Sequence, residues 1–371
     1  MSAACGDGSS PPGDPDAGSG TVDAAPGVDA AVAMPGIVFH DYHIAVDVTP
    51  DGRTAAFERI TDSDARLVLI DTLSGVADEV TSVGEPSRAL ATGISGDRKV
   101  SALHGSEPVH AGVYDETTGW HDLGSPHAAG CDQDIGGGFD ISADGHVVVG
   151  LVWDGCAADA FRWSDASGTG GFTQLEVLGT APEGLKRAPT NRATVISDDG
   201  MVAAGFAENH NLDRTPALWH ADGTGELLDP ATTDTPGEVL SISATGRTVA
   251  GISGRDGFVW TRGTGLVRLT RFEIALPSDP VYPNAMTADG RVVFGAVGDA
   301  FFGIPIAFVW TAKDGMVPLV DVVTGAGITL PEGTILNNVL GASADGTVLV
   351  GTAMDAKFNL KTFVLRLPPM P

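Results

Sequence analysis

One short motif recurs seven times in this chain, and it constrains the fold more than any other feature. It reads as an apolar residue, Ser or Thr, a variable residue, Asp and Gly. The copies are Val48-Thr49-Pro50-Asp51-Gly52, the weakened Ile94-Ser95-Gly96-Asp97-Arg98, Ile141-Ser142-Ala143-Asp144-Gly145, Ile196-Ser197-Asp198-Asp199-Gly200, Ile242-Ser243-Ala244-Thr245-Gly246, Met286-Thr287-Ala288-Asp289-Gly290 and Ala342-Ser343-Ala344-Asp345-Gly346. The steps between them are 46, 47, 55, 46, 44 and 56 residues. Asp-Gly supplies the positive dihedrals of a tight hairpin turn, and the Ser or Thr hydroxyl can bond back to nearby amides.

Each turn is followed by a β-rich run such as Val147-Val148-Val149-Gly150 or Val292-Val293-Phe294-Gly295. In five copies the run ends in Gly; Phe57 and Leu103 are expected at that place in the first two. A Gly inside a strand marks close approach of a neighbour. A second apolar run comes next, for example Ala160-Phe161-Arg162-Trp163 and Ala307-Phe308-Val309-Trp310, then a Gly-containing turn and a weaker strand. Its Trp reads as core, because it recurs at one register among apolar neighbours. Four strands in units of 44 to 56 residues predict a seven-bladed β-propeller of four-stranded antiparallel blades. The seventh unit stops after Leu365-Arg366-Leu367-Pro368 without a fourth strand, and Gly36-Ile37-Val38-Phe39 precedes the first. The N-terminal strand is therefore expected to complete the last blade. Closure removes the exposed edges that an open array would leave.

Ser-Ala-Asp-Gly, the following Val-Val-Gly and the Ala-Phe-x-Trp run resemble the bacterial extracellular HAF repeat, over residues 37 to 368 and best in units three to six. The His of that signature is replaced by Asp159, Asp256 and Ile306 at or near its place. The first unit, with Thr49-Pro50-Asp51-Gly52-Arg53, looks closer to the WD-type periplasmic propeller repeat. The resemblance implies a secreted or surface-attached propeller and transfers no catalytic residues.

Residues 1–36 are of another kind. They hold five Asp and no Lys or Arg among Pro, Gly, Ser and Ala, with no periodicity, which predicts an extended acidic tether ahead of a propeller over 37–371. Ala3-Ala4-Cys5-Gly6 resembles the end of a bacterial lipoprotein signal, although Ser2 stands where that family has Leu and no apolar segment precedes it. The resemblance implies lipidation at Cys5, a cell-envelope or extracellular address, and membrane contact through that anchor alone.

The formal net charge of the chain is -27, of which the tether accounts for five units. A body this acidic repels phosphate backbones, so nucleic-acid binding by charge is excluded. No apolar run reaches the ~18 residues that span a bilayer. Of the three cysteines, Cys131 and Cys156 flank the third Asp-Gly turn at equal distances. If Ile141 pairs with His146, the two fall opposite each other on one face, and a Cys131–Cys156 disulfide is expected, implying an oxidising compartment. A bulge at Gly136-Gly137-Gly138 would break that register.

Catalytic signals are weak. One regular Asp per turn is too few oxygens for a calcium loop. His40 and His43, three apart in an expected strand, face opposite sides. No zinc spacing, nucleophile elbow or phosphate loop occurs. No metal and no cofactor is expected. The loops between second and third strands, and those leading into each first strand, vary most and fall on one face. They supply the candidate binding residues His127, Asp132, Asp134, Arg187, Asn191, His210 and Asn338. The expectation is a monomeric, non-enzymatic module presenting that face to a protein or glycan. The alternative is a propeller hydrolase or lyase with His and carboxylates converging on the channel. A channel lined by small residues such as Ala91, Gly93, Ala285 and Gly341 would favour the binder.

Overall fold

The computed structural model describes residues 34–60, 65–80, 90–105, 108–126, 133, 135–166, 168–184, 188–228, 236–273, 275–298 and 303–369. Strand β1 (Gly36–His40) comes first. Blade one follows as β2 (Ile44–Val48), β3 (Thr54–Ile60), β4 (Ala65–Asp71) and β5 (Ala77–Glu79). Blade two holds β6 (Leu90–Ile94), β7 (Val100–His104), β8 (His110–Asp115) and β9 (Gly119–Gly124). Blade three holds β10 (Ile135–Ile141), β11 (Val147–Trp153), β12 (Ala158–Ser164) and β13 (Gly171–Gln174). Blade four holds β14 (Asn191–Ile196), β15 (Val202–Glu208), β16 (Arg214–His220) and β17 (Gly225–Leu227). Blade five holds β18 (Gly237–Ile242), β19 (Thr248–Ser253), β20 (Asp256–Thr261) and β21 (Gly265–Arg268). Blade six holds β22 (Val281–Met286), β23 (Val292–Val297), β24 (Ile306–Thr311) and β25 (Gly315–Pro318). Helix α1 (Leu319–Gly325) leads into blade seven, with β26 (Ile335–Ala342), β27 (Val348–Met354) and β28 (Leu360–Arg366). Strand β1 pairs with β28, from Gly36 opposite Arg366 to His40 opposite Thr362. The protein is a seven-bladed β-propeller whose last blade is completed from the N-terminal side, as expected.

The Asp-Gly motif works as turn chemistry throughout. In blade three the Ser142 hydroxyl donates to Asp144 Oδ1 at 2.6 Å, and the Val147 amide donates to Ser142 Oγ at 3.0 Å. Gly145 sits at φ +71°, a region that favours Gly. Blade two departs. Its turn is one residue shorter, with Ile94 opposite Val100 where blade three has Ile141 opposite Val148. The amide returning to the Ser95 hydroxyl is therefore that of Lys99. This shift corrects one expectation, since the place of the strand-ending Gly in blade two belongs to Ala102 and not to Leu103.

The strand-ending Gly residues have a shared cause in the innermost strands. Each of these seven strands carries a register shift in its middle, leaving out Val46, Thr92, Phe139, Thr194, Leu240, Pro283 with Asn284, and Leu340 respectively; β26 carries a second shift at Asn337. A β-bulge of this kind bends the strand and re-aims its side chains. It presses a carbonyl onto the second strand. A Cβ on Gly150, Gly205, Gly251, Gly295 or Gly351 would collide with the carbonyl oxygen of Gly137, Arg192, Glu238, Tyr282 or Asn338 in turn. Between blades, Phe57, Phe161, Phe258, Phe294, Phe308, Phe363 and Trp219 are fully buried. Trp219 is core, as its place in the repeat predicts, while Trp163, Trp260 and Trp310 stay part-exposed against neighbouring clusters.

The hairpin turn of blade three, six residues between paired positions rather than four, corrects the pairing on which the cysteine register was expected. Ile141 pairs with Val148 and not with His146, and the shift at Phe139 sets Ile135 opposite Trp153. Cys156 lies beyond β11, in a turn where its amide and that of Ala157 both donate to Asp154 Oδ1 at 2.7 and 2.9 Å. It is disulfide-bonded. Cys5 and Cys131 lie outside the described residues. Among the described residues no helix is long and apolar enough to cross a membrane.

Candidate functional site

The innermost strands surround a central cavity of about 360 Å³. Its lining is layered by the repeat. The bulge layer contributes Val46, Thr92, Phe139, Thr194, Leu240, Asn284 and Leu340. The turn layer contributes Pro50, Ala143, Asp198, Ala244, Ala288 and Ala344. The residues one step above the bulges, among them Arg192 and Glu238, are not part of the lining. Arg192 grips Glu238 with Nη2 at 2.6 Å and stacks over the rings of Phe139 and Phe206. The cavity forms a funnel that runs from the bulge layer to a mouth among the Asp-Gly turns, on the side away from the variable loops.

Around that mouth the turns are joined by backbone hydrogen bonds. The Gly96 amide donates to Ala143 O at 2.8 Å, Ala143 to Asp198 O at 3.1 Å, Asp199 to Ala244 O at 3.2 Å, Ala244 to Ala288 O at 2.9 Å, Ala288 to Ala344 O at 2.8 Å and Ala344 to Pro50 O at 2.8 Å. The belt lacks its link from blade one to blade two because Pro50 has no N–H.

Three carboxylates face this space, and sequence reasoning missed all of them. Asp47 and Asp140 stand directly after the bulges of blades one and three, and Asp198 is the variable residue of the fourth motif. Asp140 accepts from its neighbour Ile141 and, across to blade four, from Ile196, both at 2.8 Å. Asp47 does the same with Val48 at 2.8 Å and with Ile94 of blade two. Burial pushes the Asp140 carboxyl up to about 7, against the backbone bonds that favour its charge. Burial, then the nearby Asp140 charge, holds Asp47 well above the usual carboxylate range. Asp198 is raised by burial and by Asp199. Cost of an unpaired charge in low dielectric is the common cause. Among the described residues no Lys, Arg or His lines the cavity. Among the described residues no group of three or more His, Cys, Asp or Glu has the geometry to hold a metal ion. The signal that could have found Asp47 and Asp140 is their departure from the small or apolar residues at the same repeat position: Gly93, Val195, Ser241, Ala285 and Gly341.

Three of the residues expected to form a binding face are described. His127, Asp132, Asp134 and Arg187 lie outside the described residues. Asn191 is fully buried. Its Oδ1 accepts from Ala160 at 2.6 Å and its Nδ2 donates to Glu176 O at 3.1 Å, tying blade four to blade three. His210 is exposed in the Glu208–Arg214 loop. Asn338 accepts from Asn284 Nδ2 at 2.8 Å. His40 lies in the outermost strand of blade seven, stacked on Tyr42, and burial lowers its pKa.

No protein-family model matches the chain, and no curated protein matches it. Solved structures do. An oligogalacturonate lyase from Vibrio parahaemolyticus superposes with a TM-score of 0.56 at 13% identity, over 90% of this chain and 91% of the lyase. The Cps50 (Swd1) β-propeller domain of Myceliophteria thermophila gives 0.56 at 10% identity, over 90% and 99%. A puromycin-hydrolyzing peptidase from Mycobacterium tuberculosis gives 0.56 at 15% identity, over 87% of this chain and 51% of the peptidase. At these identities the likeness shows the fold. It also corrects the expectation of a non-enzymatic module, because the architecture that suggested one is shared here with a lyase and a peptidase.

Proposed function

We propose that the protein is a propeller enzyme of the hydrolase kind, working in the central funnel with Asp47, Asp140 and Asp198. One observation carries the reading: two mutually repelling carboxyls on different blades are raised by burial, Asp140 to about 7 and Asp47 well above the usual carboxylate range, inside a cavity large enough for a small ligand group. Groups separated in this way can act as acid and base in one site. At pH 7 the Asp47–Asp140 pair retains a proton that can pass to a leaving group. The Asp198 carboxylate at the mouth can take a proton from the attacking water. The bond to the leaving group breaks as the water oxygen bonds, and the proton taken by Asp198 balances the one given up.

Charge favours hydrolysis over elimination from a uronate. The lining carries three acids and no cation to meet an anionic sugar, so the substrate is a neutral or amino-bearing peptide or glycan end. The channel His of the alternative reading is absent from the lining. The address we infer is the cell envelope, tethered through Cys5, with Cys131 as partner of Cys156; Ala3-Ala4-Cys5 and the HAF-like repeats support it. Intact-mass measurement of the native N-terminus and a non-reduced peptide map test both parts.

The enzymatic test is a panel of neutral p-nitrophenyl glycosides, aminoacyl p-nitroanilides and, as anionic comparator, oligogalacturonate, assayed from pH 4 to 9. Turnover of a neutral or amino-bearing substrate is expected, with a pH limb near 7 and a loss of at least about 100-fold in kcat in D140N or D47N. No turnover across the panel, preference for oligogalacturonate, or unchanged rates in both variants would overturn it.

A further inference from the structure

A second cavity, of about 540 Å³, lies beside α1 where blade six passes to blade seven. It owes its existence to the helix. Leu319 and Val323 are fully buried in a cluster with Phe294, Ala307 and Leu336, so one face of α1 is anchored. Successive helical residues point about 100° apart, and the next two, Val320 and Asp321, are left on the cavity side. Phe272, Ile306, Pro318 and Ile335 supply the remaining apolar wall, and Glu273 and Asp321 are its charged residues. Among the described residues neither carboxylate has an ion-pair partner. The nearest cation in sequence, Arg271, is spent on Asp256 Oδ1 at 2.9 Å and on the carbonyls of Asp279 and Arg255.

We infer that this cavity is a binding site for a hydrophobic ammonium ion, a ligand with an apolar body seated against Val320 and Ile306 and a cationic head at Glu273 and Asp321. Its volume is that of ordinary small-molecule sites, which combine apolar walls with a few converging polar groups. Apolar contact supplies affinity there, and the two acids exclude anions and orient the head. The site is separate from the funnel and shares no lining residue with it.

The test is calorimetric titration of the full chain with phenethylammonium, 2-phenylethanol and phenylacetate. One saturable site is expected for the ammonium ion, at least 5-fold tighter than for the alcohol, with no binding of the carboxylate. The variant V320W should fill the cavity and abolish binding. The pair E273Q and D321N, both at exposed positions, should keep the apolar contact and reduce the preference for ammonium over alcohol to below 2-fold. D140N should leave the titration unchanged, which separates this site from the acidic funnel. Equal binding of all three probes, absence of saturation, persistence in V320W, or loss in D140N would each overturn the assignment.

Discussion

A Cβ placed on Gly93 would lie 2.6 Å from Oδ1 of Asp140. The small residue of blade two and the acid of blade three are one device: the first leaves the space that the second fills. The same holds between blades seven and one, where a Cβ on Gly341 would collide with the Asp47 carboxylate. Asp140 cannot swing away without giving up its bonds to Ile141 and Ile196. G93A and G341A are therefore expected to destabilise by about 2 kcal/mol each, the usual range for overpacking. G171A, where an added Cβ meets nothing within 4 Å, should stay within about 0.5 kcal/mol. Urea unfolding of the three variants checks the contrast.

Stability should fall as pH rises from about 4 to about 7. Asp140 and Glu58 are both raised to about 7 by burial, and Asp47 is raised in the same direction. A carboxyl whose folded pKa exceeds its unfolded value binds its proton more tightly when folded. Its contribution is complete below the unfolded pKa and lost as pH climbs through the folded one. Asp71 and Asp115, lowered by hydrogen bonds from Ser74 and Thr117, act oppositely and lose their contribution only under acid. The melting temperature should peak mildly acidic. D140N cannot ionise but keeps one acceptor oxygen for the two amides of Ile141 and Ile196, so it should be less stable than the parent at pH 4.5 and lose less at pH 8. Thermal melts at the two pH values read the narrowing of that difference.

Blade two closes its shortened turn with Arg98 at φ +68°, where the other six motifs use Gly. A side chain in that region costs about 1–2 kcal/mol. Arg98 recovers part of this through an ion pair with Glu116 at 2.6 Å, but both side chains are roughly 40% exposed and such pairs contribute under about 1 kcal/mol. R98G is expected to stabilise by about 0.5–1 kcal/mol, measured by urea unfolding at moderate salt.

Repetition made the architecture legible. Seven motifs specify seven turns, and the unpaired β28 edge called for β1. The bulges were hidden, because leaving out Phe139 or Thr194 depends on how strands twist round a channel and not on local propensity. Two pairings shifted for another reason, turn length: Ile141 pairs with Val148 rather than His146 across a longer turn, and the shortened turn of blade two moves Ala102 into the place expected for Leu103. The carboxylates were masked differently. Asp47 precedes Val48-Thr49 and Asp140 precedes Ile141-Ser142, so each reads as a polar residue on the outer side of an alternating strand. Only the bulge turns it toward the next blade.

Asn191 gives the sharpest division between scaffold and surface. Chain position alone puts it with His210 on the variable face, yet it bridges Ala160 and Glu176 from a fully buried site, while His210 is exposed. N191A would leave the Ala160 amide without its partner, while the Glu176 carbonyl keeps the Trp219 indole N–H at 2.9 Å, and an orphaned buried group costs about 1–3 kcal/mol. A loss of about 1–3 kcal/mol is therefore expected for N191A, with H210A within about 0.5 kcal/mol. N191D restores the acceptor for Ala160 but not the donor to Glu176, so it should fall between them at low pH and below N191A at high pH, where the buried charge is unpaired. Unfolding free energies at pH 5 and 8 for the three variants test whether the residue is a clamp between blades three and four.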